Sequence, residues 1–162
     1  MFAGEFPCKL DDKGRFAMPA SLRERFVLPD NPEVKKGILV KSHQDPCLWF
    51  FTAKHWDDLL DWQRQRLSER ESRLFMHYMV SDLSEVEIDR ASRVLIPRKL
   101  REHAHIGEDA MLVGLFDRLE IWGRDTWLAH LSQLEDEHEM SLSKVLQMPS
   151  IRPSFPGEQS RL

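Results

Sequence analysis

The sequence predicts an α+β protein in which two tandem copies of a small β module form an internal pseudo-dimer, with a helix after each copy. Three observations support this prediction. One motif occurs twice in the chain, apolar residues alternate around each copy of the motif, and apolar residues then recur at helical spacing. The 162 residues give room for one ordinary domain or for two very small ones.

The repeated motif occupies residues 11–23 and 89–101, and the two copies align without a gap at an offset of 78 residues. The identical pairs are Asp11/Asp89, Arg15/Arg93, Pro19/Pro97, Leu22/Leu100 and Arg23/Arg101. A second match, at an offset of 71 residues, relates 48–56 to 119–127. The expected organisation is a first module at 5–55, a connecting helix at 56–83, a second module at 84–127, and a helix end with an acidic, disordered tail at 128–162.

Each copy begins with a strand, a turn and a second strand. The turn is rich in Asp, Gly or Ser, residues that accept a positive φ or bond to their own backbone at little cost. In the strand after the first turn, Phe16 and Met18 face one side and Arg15 faces the other. The second copy repeats this alternation around Arg93. We therefore expect the apolar side to be buried and both arginines to be accessible.

Helices and hairpins complete the predicted module. Pro19 and Pro97 suit the first turn of a short helix in their respective copies. A hairpin follows in each copy, and Thr52 then serves as the N-cap of a longer helix with apolar residues at spacings of three and four. One such module is too small to bury an adequate core by itself, so we expect the two copies to cover each other.

The charge of the chain is low overall but unevenly distributed. There are 23 Lys and Arg against 27 Asp and Glu, a net charge of −4, which argues against a protein that coats DNA by bulk positive charge. Residues 90–101 nevertheless contain five basic residues and no acidic one, and residues 13–25 contain four basic residues and one acidic one. Both basic clusters fall on the repeated motif, which is therefore the candidate surface for a polyanion.

Arg15 and Arg93 are the first candidates for DNA contacts. A guanidinium beside a turn can bind a phosphate, or the O6 and N7 atoms of guanine, through two hydrogen bonds. The alternative is that each arginine pairs with the recurring Asp11 or Asp89 and only holds its turn. Gly14 serves the turn, and its lack of a Cβ would also let the backbone approach a phosphate closely.

The sequence shows no catalytic or metal-binding pattern. His43, Asp45 and Cys47 lie on or beside one loop, but Cys47 is better explained as a small buried residue than as a metal ligand or nucleophile. The two cysteines are too few for a four-thiolate zinc site. No glycine-rich phosphate loop or nucleophile elbow occurs. We predict no enzyme activity, no metal, no cofactor and no small-molecule substrate. Four of the five tryptophans lie at core-facing or helix-stripe positions, so we expect them to pack rather than to stack on bases.

The repeated motif carries a family resemblance. Asp-x-Lys-Gly-Arg-x-x-x-Pro at 11–19, its echo at 89–97, the Pro46-Cys-Leu48 segment and the helices that end in tryptophan resemble the MraZ family. These are bacterial transcription regulators built from two AbrB-like (SpoVT/AbrB) swapped-hairpin modules. The resemblance implies a ring-shaped homo-oligomer in the cytoplasm and nucleoid. No association with a membrane is expected. The resemblance also implies binding to repeated boxes upstream of a cell-division and cell-wall gene cluster.

The resemblance assigns roles to particular residues of the motif. The positions that match the family's DNA-contacting residues are Lys13 and Arg15 in the first copy and Arg93 in the second copy. The full candidate set adds Gly14 and Arg90 as DNA contacts and Arg23, Arg98, Lys99 and Arg101 as secondary basic contacts. Because residues 90–92 depart from the Lys/Gly-rich turn, we expect the second copy to touch DNA less closely.

The sequence therefore predicts a sequence-specific transcriptional regulator that binds double-stranded DNA. The alternative is a protein-interaction or antitoxin-like module whose basic hairpins hold an acidic protein partner.

Overall fold

The computed structural model describes the backbone of residues 1–147 and the side chains of residues 1–137. Residues 1–127 form one compact unit that contains both copies of the motif, and the chain from residue 128 belongs to a second unit. The architecture is α+β with antiparallel sheets, in agreement with the predicted fold class.

The elements follow the repeat. The strands are β1 (Phe2–Lys9), β2 (Arg15–Ala17), β3 (Val27–Leu28), β4 (Asn31–Lys41), β5 (Leu48–Thr52), β6 (Ser84–Glu87), β7 (Arg93–Leu95), β8 (Asp109–Phe116) and β9 (Arg118–Gly123). The helices are α1 (Ala20–Arg23), α2 (Ala53–Arg66), α3 (Glu69–Phe75), α4 (Arg98–His103) and α5 (Arg124–Gln147), with a 3-10 turn at Glu24–Phe26 and a π-helical turn at Met76–Val80.

Both copies of the repeat contribute strands to the main sheet, and strands of one copy pair with strands of the other. The strand order of this sheet is β1–β8–β9–β5–β4, and β4 pairs on its other side with β3 and β6. The first strand of the first copy, β1, thus pairs with the hairpin strand β8 of the second copy, and β6 of the second copy pairs with β4 of the first. The two hairpins meet through β5 and β9. Neither copy completes a sheet without the other.

The second strands of the two copies form a separate two-stranded ribbon. β2 and β7 pair antiparallel, with Arg15 opposite Leu95, Phe16 opposite Val94 and Ala17 opposite Arg93. Phe16 and Val94 are buried in one core to which both copies contribute, as the alternation predicts. The remaining predicted core positions of the motif are buried as well: Met18, Leu22, Phe26, Ile96, Leu100 and Ala104.

The helical region after β5 differs from the single long helix that the sequence predicts. Thr52 is the N-cap of α2, where its hydroxyl accepts a hydrogen bond from the N–H of His55 at 3.2 Å. The helix then stops, because Ser68 and Glu71 form a capping box that starts α3 as a new helix. Leu74 is 63% exposed, so the apolar stripe is not covered over this second part.

The last helix is longer than the sequence predicts. The sequence predicts only a helix end and an acidic, disordered tail over 128–162, yet α5 continues to Gln147. The segment from 124 to 147 contains neither proline nor glycine, so nothing in it breaks a helix. The prolines of the expected tail, at 149, 153 and 156, lie outside the described residues. Within the described part of the chain, no helix is long and apolar enough to cross a membrane.

Four of the five tryptophans are buried, and this confirms the prediction that they pack. The buried tryptophans are Trp49, Trp56, Trp122 and Trp127. Trp62 is exposed on α2.

Candidate nucleic-acid interface

The first turn is held by one aspartate. The Oδ1 atom of Asp11 accepts hydrogen bonds from the backbone N–H groups of Lys13 at 3.0 Å and Arg15 at 2.9 Å. Its Oδ2 atom accepts a bond from Nε of Arg15 at 2.8 Å. These donors, the backbone N–H of Arg15 foremost, hold the pKa of Asp11 below its ordinary value. The carboxylate is therefore charged at neutral pH, and it fixes both the turn and the guanidinium.

The second turn repeats this arrangement bond for bond. Asp89 accepts from the backbone N–H groups of Ala91 at 2.9 Å and Arg93 at 2.8 Å, and from Nε of Arg93 at 2.9 Å. The backbone N–H of Arg93 is the main reason that the pKa of Asp89 is lowered. The aspartate–arginine pairing that the sequence left as an alternative to DNA contact is thus present in both copies.

This pairing leaves part of each arginine available to a ligand. Asp11 and Asp89 take only the Nε atoms, and the terminal nitrogens of Arg15 and Arg93 have no further partner among the described residues. Structural pairing and ligand contact are therefore compatible, since a carboxylate at Nε fixes the side chain while its two Nη groups still donate.

Both arginines lie on the same face of the ribbon. Directly opposite residues of an antiparallel pair point to the same side, so Arg15, Leu95, Ala17 and Arg93 share the outer face while Phe16 and Val94 point into the core. Arg15 and Arg93 are diagonal neighbours across the two strands, a spacing of about 7–8 Å. Their side chains are 26% and 44% exposed. The fold thus brings residues 78 positions apart in sequence onto one small basic surface.

The other predicted contact residues lie in the two turns. Lys13 and Arg90 are exposed, and their side chains have no ion-pair partner among the described residues. Gly14 has a φ of +83°, which favours glycine, and it is buried.

The four secondary basic residues point to different surroundings. On α4, Arg98 pairs with Glu102 at 2.9 Å, and Lys99 pairs with Asp82, which also binds Lys41 at 2.6 Å. Lys41 first, and Lys99 second, lower the pKa of Asp82 to about 2. Arg23 and Arg101 instead reach the turns themselves. Arg23 donates from Nη1 to Oγ of Ser92 at 2.6 Å, and the guanidinium of Arg101 lies against Gly14.

The sequence reasoning missed one residue of this surface. Leu95 is 48% exposed on the outer face of the ribbon, directly opposite Arg15. The alternation that places Val94 inward also places Leu95 outward, so the signal was present. An exposed leucine between two arginines adds apolar contact area to a basic surface.

The fold and this surface define a class of protein: an α+β protein with antiparallel sheets, in which a repeated motif forms a two-stranded ribbon that carries two arginines on its outer face. The chain belongs to the MraZ family, because the family model "MraZ protein, putative antitoxin-like" matches residues 1–77 and 79–147. This confirms the resemblance seen in the motif. The break between the two matched stretches falls between the two copies of the motif.

Similar proteins from several bacteria are each named "Transcriptional regulator MraZ". The protein of Ligilactobacillus salivarius is 34% identical over 140 residues, which cover 86% of this chain and 92% of the relative. That of Moorella thermoacetica is 31% identical over 147 residues, covering 90% and 97%. That of Alkaliphilus metalliredigens is 32% identical over 146 residues, covering 90% and 94%.

Proposed function

We propose that this chain is a transcriptional regulator that binds double-stranded DNA sequence-specifically through the outer face of the β2–β7 ribbon. The observation that carries the proposal is the placement of Arg15 and Arg93 on one exposed face, each fixed by an aspartate at Nε and each with its terminal nitrogens available. The name shared by its relatives, transcriptional regulator, supports the same function.

The geometry suits base readout. The major groove of B-DNA admits a two-stranded β-ribbon, and an arginine that enters it can bind O6 and N7 of guanine with two hydrogen bonds. Because Asp11 and Asp89 already hold the two guanidinium groups, little side-chain entropy is lost when they bind. Leu95 and Ala17 lie on the same face and offer apolar contact to the 5-methyl group of thymine.

Lys13 and Arg90 supply the phosphate contacts in this proposal. Both lie in the turns at the ends of the ribbon strands, where a flanking DNA backbone would pass. Phosphate contacts fix register and orientation, while base contacts specify the sequence. A net charge of −4 keeps the general attraction to DNA small, so base contacts decide where the protein binds.

One ribbon per chain is a small contact, so we propose that affinity comes from assembly. In this view the exchange of strands between the copies makes two AbrB-like swapped-hairpin modules, at 5–55 and 84–127, and the chains associate as a ring-shaped homo-oligomer. Several subunits then engage spaced boxes on one DNA, and each bound subunit raises the effective concentration of the next. The proposed target is the region upstream of its own cell-division and cell-wall gene cluster, in the cytoplasm and nucleoid.

A second candidate is an acidic protein partner. The description of the family as antitoxin-like favours it, and arginines bind carboxylates in the same two-bonded geometry as they bind phosphates. The two candidates differ in their dependence on DNA sequence.

Fluorescence anisotropy at near-physiological salt tests the proposal. The full-length protein is titrated with DNA from upstream of its own coding sequence and with a scrambled duplex of equal composition. We expect much tighter binding to the upstream DNA, and loss of that preference in Arg15→Ala. Arg70→Ala, an exposed position on α3 away from the ribbon, is the matched control and should bind like wild type. Equal binding to both duplexes would refute sequence-specific regulation and favour the acidic partner.

A further inference from the structure

A buried glycine in the first turn is covered by an arginine of the other copy. Gly14 belongs to the first copy and Arg101 to α4 of the second. A Cβ added at position 14 would lie 2.5 Å from Cζ of Arg101 and 2.6 Å from its Nε, so a side chain there would displace the guanidinium. The guanidinium therefore occupies the space above the glycine. The absence of a side chain at Gly14 leaves room for Arg101, and the φ of +83° also favours glycine.

Arg101 is also linked to the same turn through the backbone. Its Nε donates to the carbonyl of Ile96 at 3.0 Å, in partly buried surroundings. The N–H of Ile96 in turn donates to the carbonyl of Gly14 at 3.0 Å. Arg101 thus fixes the backbone at Ile96, and Ile96 in turn fixes the first turn at Gly14. The Nε of Arg101 is directed at the carbonyl of Ile96 and its guanidinium lies over Gly14, so the side chain is directed at the first turn.

The equivalent residues make the reciprocal contact. Arg23, at the position of Arg101 in the first copy, donates from Nη1 to Oγ of Ser92 at 2.6 Å. Ser92 stands in the second turn where Gly14 stands in the first, and its carbonyl accepts the N–H of Met18 at 2.7 Å. Each motif therefore supplies an arginine and a backbone N–H to the turn of the other motif.

We propose that Arg23 and Arg101 are positioning residues: each fixes the DNA-contacting turn of the opposite copy and does not itself contact DNA. The inference rests on the proposed function of the ribbon. It separates these two arginines from Lys13, Arg15, Arg90 and Arg93, although all six are basic residues of the same motif. A turn that is already fixed needs no ordering on binding, which is how a residue remote from DNA raises affinity.

The test compares an alanine and a lysine substitution over a range of salt concentrations. Arg101→Ala and Arg101→Lys are titrated with DNA from upstream of the chain's own coding sequence. Lysine keeps the positive charge but has no Nε–H to bond Ile96, so both variants should bind about tenfold more weakly than wild type, the usual effect of losing one hydrogen bond to a charged group. The slope of log affinity against log salt should stay that of wild type, because no phosphate contact is removed.

Two comparison variants calibrate this result. Lys13→Ala, a proposed phosphate contact, should lower the salt slope by about one per engaged subunit. Arg70→Ala, at an exposed basic residue on α3, should bind like wild type. Near-wild-type binding by Arg101→Lys, or a reduced salt slope for Arg101→Ala, would overturn the positioning role and make Arg101 a direct electrostatic contact.

Hydrogen exchange tests the positioning role without DNA. The amide of Gly14 donates to the carbonyl of Asp11 at 3.0 Å, so its exchange rate reports the order of the first turn. It should exchange faster in both Arg101 variants, while amides of the β5–β9 pair keep their wild-type protection. Arg23→Ala should have the same effect on the amide of Ser92. Unchanged exchange at Gly14 and Ser92 would refute the proposal, whereas wild-type protein that does not prefer its upstream DNA would refute only the proposed function.

Discussion

The turns at Asp11 and Asp89 share every hydrogen bond between aspartate and arginine but differ in the residues between them. Asp12, Lys13 and Gly14 of the first turn correspond to Arg90, Ala91 and Ser92 of the second. The aspartate–arginine clamp involves only the first and last residues and the backbone, so it places no demand of its own on the three central side chains. The comparison teaches that the aspartate–arginine clamp determines the shape of the turn, while the three central residues determine its charge.

The helices after the two turns differ in the same way. Arg98 and Lys99 begin α4, whereas Ala20 and Ser21 stand at the same places in the first copy. The added charges of α4 are paired with Glu102 and with Asp82 of the connecting segment, so acidic side chains offset them. A larger number of basic residues in the second copy therefore does not mean a larger basic surface.

The largest effect is expected for Arg15→Ala. Loss of one base contact made through two hydrogen bonds costs about 1–3 kcal/mol of binding free energy. When several subunits bind one DNA, the fold-losses of affinity at the individual contacts multiply. Specific binding should fall below detection while size-exclusion chromatography with light scattering shows an unchanged assembly. Binding as tight as that of wild type would remove Arg15 from the site.

Exchanging the turn residues is the second test. Gly14→Ser places a side chain against Arg101 and requires serine at a φ of +83°, so we expect a loss of about 1–3 kcal/mol of stability together with weaker DNA binding. Ser92→Gly removes the partner of Arg23 but relieves a residue at a φ of +62°, so its effect on the free energy of unfolding should be smaller. Denaturant titrations of both variants measure the difference. Equal losses would mean that the two turns are packed alike.

Arg93→Ala should weaken DNA binding less than Arg15→Ala. The two guanidinium groups are held identically, but the first turn adds Lys13 beside its arginine while Ala91 stands there in the second. Anisotropy titrations of the two single variants at one salt concentration give the ranking. A stronger effect at Arg93, with the fold intact, would reverse the order of the two copies.

Leu95→Ala makes the second copy resemble the first, which has Ala17 at this position of the ribbon. If Leu95 contacts a thymine methyl group, the variant should lose about 1 kcal/mol of affinity, the value of roughly one buried methylene. Replacing thymine by uracil in the upstream DNA should then weaken wild type more than Leu95→Ala. An equal response of both proteins to uracil would place the leucine outside the contact.

The smallest effect on DNA binding, and a distinct effect on the pH dependence of stability, is expected for Asp82→Asn. The pKa of Asp82 is about 2 in the folded protein, below its unfolded value of about 4. The ion pairs with Lys41 and Lys99 therefore stabilise the fold above about pH 4, and this stabilisation is lost as the pH falls towards 2. Asp82→Asn should show a weaker decline in stability over this interval in thermal melts. Asp30→Asn, at an exposed carboxylate, is the control and should decline like wild type.

Much of the local structure was determined by the sequence alone. The repeated motif, the alternation around Arg15 and the prolines at 19 and 97 predicted the turns, the buried face of the ribbon and the short helices. These features depend on neighbours a few residues away, which periodicity records directly. The same periodicity could not reveal that the helix after Thr52 breaks at Ser68, because a capping box competes there with a continuous apolar stripe.

The tertiary structure alone decided which strands of the two copies pair and which turn each arginine contacts. Periodicity tells which side of a strand is buried but not which strand lies beside it, so the exchange of β1 and β6 between the hairpins was not visible. The positions of Arg23 and Arg101 depend on the same exchange. Both resembled further DNA contacts in the sequence, and both lie against the opposite turn because contacts across 69 residues or more are set by packing and not by local pattern.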